Sequence, residues 1–178
     1  MLDAPVGAAC ASMVRMTEDT TALPERSRIV QEHVRTAGLA SQVRELPDSA
    51  RTAAQAAAAL GCEIGAIGSS LLFLVDGAPL LVMTSGRHRV DLDLLAAAVG
   101  SEHVAMAPAA TVREVTGQAI GGVAPVGHPA PVRTVVDAAL RDYDVVWTAA
   151  GTPHTVMPMS FDELVALTGG EVVVVAAD

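Results

Sequence analysis

Aromatic side chains are nearly missing from this chain: one Trp, one Tyr and two Phe among 178 residues. Binding bare single strands by base stacking needs aromatic platforms, so the composition weighs against that mode. Cysteine is equally scarce. Cys10 and Cys62 imply no disulfide framework, and a reduced, cytoplasmic protein is the expectation. Neither cysteine has a partner two residues away, and His33, His88, His103, His128 and His154 are scattered without metal-ligand spacing. No metal or other cofactor is therefore expected. No apolar run reaches the roughly 18 residues of a membrane span, and no basic stretch followed by an apolar block opens the chain. No membrane partner is expected either. Basic residues are few, 11 against 20 acidic ones, for a net charge of −9. Such a balance opposes a long phosphate-backbone footprint. Any nucleic acid would be gripped locally, at a terminus, or delivered by a partner. Familiar catalytic signatures are missing too: there is no Gly-x-Ser-x-Gly elbow, no Gly-x-Gly-x-x-Gly and no Walker sequence.

What is present suits a single domain. Apolar residues make up 51% of the chain, and with so few rings the core must be Val, Leu, Ile, Ala and Met. Residues 1–23, rich in Ala, Thr and Met without a clear period, read as a loosely packed tail, and the domain as 24–178. Pro24 sits at a helix start, with Val30, Val34 and Ala37 at helical spacing and Gly38 at the end. A short strand follows over Ser41 to Leu46. Thr52-Ala53-Ala54-Gln55 is a capping box heading an Ala-rich helix that stops near Gly61. Ile67 to Val75, Asp76-Gly77 and Pro79 to Thr84 read as strand, tight turn and strand.

Asp91 opens a helix closed by Gly100, His103 to Ala107 is a strand, and Ala109 to Val115 a short helix. Strands are expected at Val132–Val136, Val145–Thr148 and Thr155–Met159. Ser160-Phe161-Asp162-Glu163 is a second capping box, for a helix ending at Gly169. Glu171 to Val175 reads as a last, continuously apolar strand buried on both faces. Helices and strands do not alternate strictly and a hairpin interrupts them, which argues for a mixed sheet with packed helices over a doubly wound parallel one.

The densest signal is the loop from Thr116-Gly117 through Gly121-Gly122-Val123-Ala124-Pro125-Val126-Gly127-His128-Pro129. Four glycines and two prolines within fourteen residues suit neither a helix nor a central strand. Such glycines serve where the backbone takes positive φ or lies against something a side chain would displace. Thr52 to Gly61, Ile67-Gly68-Ser69-Ser70-Leu71-Leu72-Phe73, Ser85-Gly86-Arg87-His88-Arg89-Val90-Asp91, Asp137 and Ala150-Gly151-Thr152-Pro153 accompany it. In order and spacing the set resembles the YbaK/ProX-like aminoacyl-tRNA editing domains, over roughly residues 27 to 175.

The resemblance implies an α/β fold of the α+β kind: one domain with a mixed, largely antiparallel curved β-sheet and packed helices. It also implies a hydrolase that frees mischarged tRNA of a small amino acid, acting in trans on the aminoacyl-tRNA 3′ end, with an aminoacyl-tRNA synthetase as a possible partner. An aminoacyl ester is already activated, so a site need only place water and stabilise the oxyanion. Backbone groups of a glycine loop can do this, and the ribose hydroxyl beside the ester assists in the family. The family pattern puts Gly121, Gly122 and Ser69 at the catalytic centre. Ser70, Phe73, Arg87, Thr116, Gly117, Pro125, Gly127, His128, Asp137, Gly151 and Thr152 fall at substrate-binding positions.

Plainer roles stand beside these: a chain turn for the glycines, a strand-end cap for Asp137, a loop hydrogen bond for His128 and a solvated turn for Arg87-His88-Arg89. Ser69 breaks the pattern. Family members read Ile-x-Lys-Ser-Leu at this strand, with the lysine facing the substrate terminus, whereas here the lysine position holds serine. A lost cation beside an oxyanion or phosphate costs on the order of 10²–10³ in rate, unless Arg87 or Arg89 replaces it in space. The expected activity is therefore an editing hydrolase, with two rivals: a catalytically impaired binding module, and a hydrolase of another ester or thioester.

Overall fold

The computed structural model describes residues 15–16, 22–47, 50 and 52–177. In chain order the elements are β1 (Arg15–Met16), α1 (Glu25–Thr36), β2 (Arg44–Glu45), α2 (Ala53–Leu60), β3 (Ile67–Val75) and β4 (Ala78–Ser85). Then come α3 (Leu92–Val99), β5 (Val104–Met106), α4 (Ala109–Thr116), β6 (Arg133–Asp137), β7 (Val146–Ala149), β8 (Thr155–Met159), α5 (Phe161–Thr168) and β9 (Glu171–Val173). Single 3₁₀ turns at Ile64–Ala66 and Ala138–Asp142 lead into β3 and out of β6.

Local chemistry explains most boundaries. Thr52 and Gln55 exchange side-chain and backbone hydrogen bonds at the start of α2, and Ser160 and Glu163 do the same for α5. Each box satisfies donors that a helix start would otherwise leave orphaned. Asp76 and Gly77 take φ of 49° and 83°, the two left-handed residues that a tight hairpin turn demands. They hold β3 and β4 in register from Gly68↔Ser85 to Val75↔Ala78.

The strands form one sheet in the order β1-β2-β8-β7-β3-β4-β6-β9, with β5 also paired to β3. The pairs β1–β2, β2–β8, β8–β7, β3–β4 and β3–β5 are antiparallel, while β3–β7, β4–β6 and β6–β9 are parallel. A mixed, largely antiparallel sheet with packed helices is what the resemblance implied. On one face Val30 and Val34 of α1, Val112 of α4 and Leu164 of α5 pack on Leu72, Leu81 and Met83. On the other, Leu95 of α3 covers Phe73, Leu80, Val82 and Val135. Each fully buried aliphatic side chain of this kind contributes about 1.5–3 kcal/mol. A third cluster joins Ala56 and Ala57 of α2 to Ile67 and Val156. Among the described residues no helix is long and apolar enough to cross a membrane.

Three expectations need correction. Glu171 to Val175 is not a strand buried on both faces: β9 stops at Val173, pairs only with β6 at the sheet edge, and leaves Val174 59% exposed between buried Val173 and Val175. One face of the chain is left uncovered here, so alternation reappears. The Ser41–Leu46 strand shrinks to Arg44–Glu45, because β2 finds partners only in β1 and the start of β8. The packed domain also begins before residue 24: Leu23 is buried in the core, and Arg15–Met16 pairs with Glu45 and Arg44. The rest of the expected 1–23 tail, apart from Ala22, lies outside the described residues.

Candidate active site

β3 is paired along its whole length to β4 on one edge, but only at its ends on the other. There β7 meets Ile67 and Gly68, and β5 meets Phe73 to Val75. Between them, among the described residues, the Leu72 carbonyl oxygen alone is engaged on this edge, accepting from Ala107 N–H at 2.9 Å. Ile67 directs its carbonyl to Gly86 on the β4 side. By the alternation of an antiparallel ladder, the main-chain N–H and C=O of Ser70 therefore point into the gap.

That gap opens into a cleft of ≈290 Å³. Its walls come from β3 (Ile67 to Leu72), from Trp147 and Ala149 of β7, from Val156 of β8, from the α2 end at Thr52 to Ala56, and from Gly121 with Ile120 and Val123. No ionisable side chain lines it among the described residues. Among the described residues its polar groups are hydroxyls (Thr52, Ser69, Ser70, Thr155), the Trp147 indole and main chain.

The site's own geometry is set by close backbone packing. Gly121 is solvent-exposed at φ +86°, and a Cβ there would point towards Pro153, another cleft residue, at 3.9 Å. Gly122 is buried directly behind it, and its carbonyl oxygen accepts from Gly151 N–H at 3.0 Å. The 150–155 turn is held by hydroxyls: Thr155 Oγ1 lies 2.9 Å from both Ser27 Oγ of α1 and Thr152 Oγ1. Gln118 ties the loop together from within, its Oε1 accepting from Ala124 N–H at 2.7 Å. Ser70 turns its hydroxyl to Met83 Sδ at 3.2 Å, while Ser69 lies on the opposite face of β3, with Ile67 and Leu71.

The comparisons with known proteins agree with this layout. Residues 47–167 match the family described as the aminoacyl-tRNA editing domain. A solved structure described as a candidate trans-editing enzyme for prolyl tRNA synthetase superposes with a TM-score of 0.83 at 40% identity, covering 88% of this chain and all of that one. A crystallised hypothetical protein gives a TM-score of 0.78 at 31% identity, covering 84% of this chain and 99% of that one. The uncharacterized protein YwhH of Bacillus subtilis is 28% identical over 125 residues, which are 70% of this chain and 79% of that protein. A proline–tRNA ligase of Lysinibacillus sphaericus is also 28% identical, over 127 residues, but the match spans only 22% of the ligase.

The chain belongs to the aminoacyl-tRNA editing domain family.

Of the positions that the editing-domain pattern marks, the fold brings Ser69, Ser70 and Gly121 into the cleft. Gly122, Gly151 and Thr152 stand behind it as supports, and Thr116 with Gly117 closes α4, the Thr116 hydroxyl donating to Val112 O at 2.6 Å. Others lie elsewhere. Phe73 is in the core under α3, 1% exposed. Pro125, Gly127 and His128 line a separate groove with His33. There His128 Nε2 is 2.9 Å from Ala124 O, and burial pushes its imidazole below the usual range, with His33 adding to the effect against the opposing Ala124 bond.

Asp137 is 1% exposed. Its carboxylate accepts from Ser85 N–H (3.1 Å), Ala139 N–H (3.0 Å) and the Thr84 hydroxyl (3.3 Å), and lies 2.8 Å from His88 Nδ1. It is built as a strand-end cap. Arg87 does not fill the space left at Ser69: its Nη2 donates to Asp142 at 2.8 Å and its Nη1 to Tyr143 at 3.1 Å, away from the cleft. Arg89 does not line the cleft either. Lysine cannot come from elsewhere in this chain, since all 11 basic residues are arginine. Trp147, Thr155 and Val156 were legible only as strand residues. Which face they occupied depended on pairing to β3, so no local signal marked them.

Proposed function

We propose that this editing domain acts in trans as a hydrolase, cleaving the ester between a small amino acid and the 3′ end of a mischarged tRNA. The cleft carries the reading: an apolar chamber bordered by Gly121 main chain, hydroxyls and the open β3 edge at Ser70. The amino-acid side chain would enter the apolar part. The ester carbonyl would meet main-chain donors, where an oxyanion gains most from preorganised hydrogen bonds. Water would attack the carbonyl carbon, and the ribose oxygen would leave with a proton. With no side-chain acid or base among the described residues of the lining, the proton would travel through hydroxyls, water or the substrate's own ribose hydroxyl.

The names borne by two relatives point to the products of a prolyl-tRNA synthetase, with alanine or a similarly small residue wrongly attached to its tRNA. Editing suits such a case, because a pocket built for the larger residue cannot shut out a smaller one, and each missing methylene costs the intruder only about 1–3 kcal/mol. Deacylation of alanyl-, seryl- and prolyl-tRNA of the proline type tests the reading. Hydrolysis of the small-residue esters with prolyl-tRNA spared is expected. Equal stability of all three with and without protein would remove the hydrolase.

One observation favours a second reading. With serine at position 69 and no lysine in the chain, the domain could hold the tRNA end without turnover. Retained tRNA binding with no hydrolysis would decide for it.

A further inference from the structure

We propose that Arg44, just outside the cleft and laid over its lining residue Trp147, binds a phosphate oxygen of the nucleotide that carries the ester. The proposal rests on the editing reading and assigns the group that meets the substrate's charge.

Strand register places the residue. Arg44 pairs with Val156, Val156 with Ala149, and Thr148 of β7 with Gly68 of β3. Directly paired residues share a face, so Arg44, Val156, Ala149 and Ser69 form one row across four adjacent strands. Its ends lie about 14 Å apart, three spacings of about 4.8 Å. Arg44 reaches back along that row: its guanidinium carbon is 5.1 Å from the centroid of the Trp147 ring, one strand from β3. Leu46, two residues on from Arg44 and on the same face, lines the cleft, as do Val156 and Trp147.

Among the described residues its charge has no counter-charge. Arg44 Nε is buried without a hydrogen-bond partner, and no described acidic group forms an ion pair with it. Three other arginines have ion pairs, Arg35 with Glu32, Arg87 with Asp142 and Arg133 with Glu171; what marks Arg44 is a buried Nε with no hydrogen-bond partner. Holding a half-buried cation without a counter-charge is costly, and an anionic ligand relieves that cost. A guanidinium that approaches an indole through its carbon can still offer N–H groups for paired hydrogen bonds to a phosphate.

Substrate chemistry selects the anion. An esterified amino acid has no carboxylate and carries a positive amino group, so the only negative charge near the ester is phosphate. A chain of net charge −9 repels tRNA at long range, which makes one well-placed local cation matter more.

Trp147 is the single tryptophan, so its fluorescence reports on the site without any need for turnover. The full chain, wild type and the variants Arg44→Met and Arg44→Lys, would be titrated with adenosine 5′-monophosphate, adenosine, inorganic phosphate and alanine. Methionine keeps the apolar packing over the ring, and lysine keeps charge without the fork. The monophosphate is expected to perturb Trp147 and to bind about tenfold or more tighter than adenosine. Arg44→Met should abolish that margin and leave adenosine binding as it was, with Arg44→Lys between.

Equal binding of monophosphate and adenosine by wild type, or an undiminished margin in a folded Arg44→Met protein, would overturn the proposal. So would an Arg44-dependent response to alanine, which would assign the arginine to a carboxylate. Failure of the editing reading is separate: an Arg44-dependent phosphate margin without deacylation leaves this site standing. Conversely, deacylation by Arg44→Met at unchanged KM removes the site and leaves the hydrolase.

Discussion

Gly122 and Thr152 are packed main chain to main chain: a Cβ built on the glycine would stand 2.5 Å from the Thr152 carbonyl carbon and 2.6 Å from its Cα. Backbone cannot yield as a flexible side chain can. Gly122→Ala must therefore push the 150–155 turn away from the glycine loop, at about 1–3 kcal/mol of overpacking. The expected result is a lower thermal midpoint together with lost deacylation. A variant with unchanged stability would show that the loops separate freely.

Gly121→Ala tests the neighbouring glycine differently. Space is available towards Pro153, so the cost is the left-handed φ, about 1–2 kcal/mol. The added methyl enters the cleft wall. In protein kept well below its melting range, kcat/KM should fall by far more than the stability loss explains. Full activity in the folded variant would reduce Gly121 to a turn.

Ser69→Lys restores the residue type the family carries at this strand. No ionisable side chain lines the cleft among the described residues, so a cation there meets no described partner and, on the proposed reading, would face the ester. Single-turnover deacylation should rise by about tenfold or more, given what one oxyanion donor contributes. A fall on adding lysine, from a robust wild-type rate, would mean that the pocket is already complete with serine.

Asp137→Ala should act on stability alone. It strips the acceptor from two backbone N–H groups and the Thr84 hydroxyl and leaves His88 without its carboxylate, a loss of about 3 kcal/mol. KM for mischarged tRNA, measured on the folded fraction, should not move. A selective rise in KM with normal stability would return Asp137 to the substrate site.

His128 predicts a pH response. Burial, opposed by the bond to Ala124 O and helped by His33, holds its folded pKa below the ordinary 6.5. As pH falls through that ordinary value the unfolded chain takes up the proton first, so stability is lost between there and the lower folded pKa. The thermal midpoint of wild type should drop between about pH 7.5 and pH 5.5, and drop less in His128→Gln. Identical drops in the two proteins would show that other groups carry the effect.

Much of this molecule is legible one segment at a time. Thr52 with Gln55, Ser160 with Glu163, and Asp76-Gly77 act within three residues of themselves, so they specify helix starts and the hairpin wherever they occur. The order of these elements and the glycine-rich loop were enough to point to the family. The cleft is another matter. It exists because β7 and β5 share one edge of β3 and leave Ser69 to Leu72 between them, a consequence of pairings between strands distant in sequence. The same long-range packing sends Gly121 to the cleft but His128 to another groove, and buries Phe73 and Asp137 out of reach. It also carries Arg44 across to Trp147, 103 positions later in the chain. Caps and turns are decided by neighbours along the backbone. Which side chains share a cavity is decided by which strands find each other, and no local pattern encodes that.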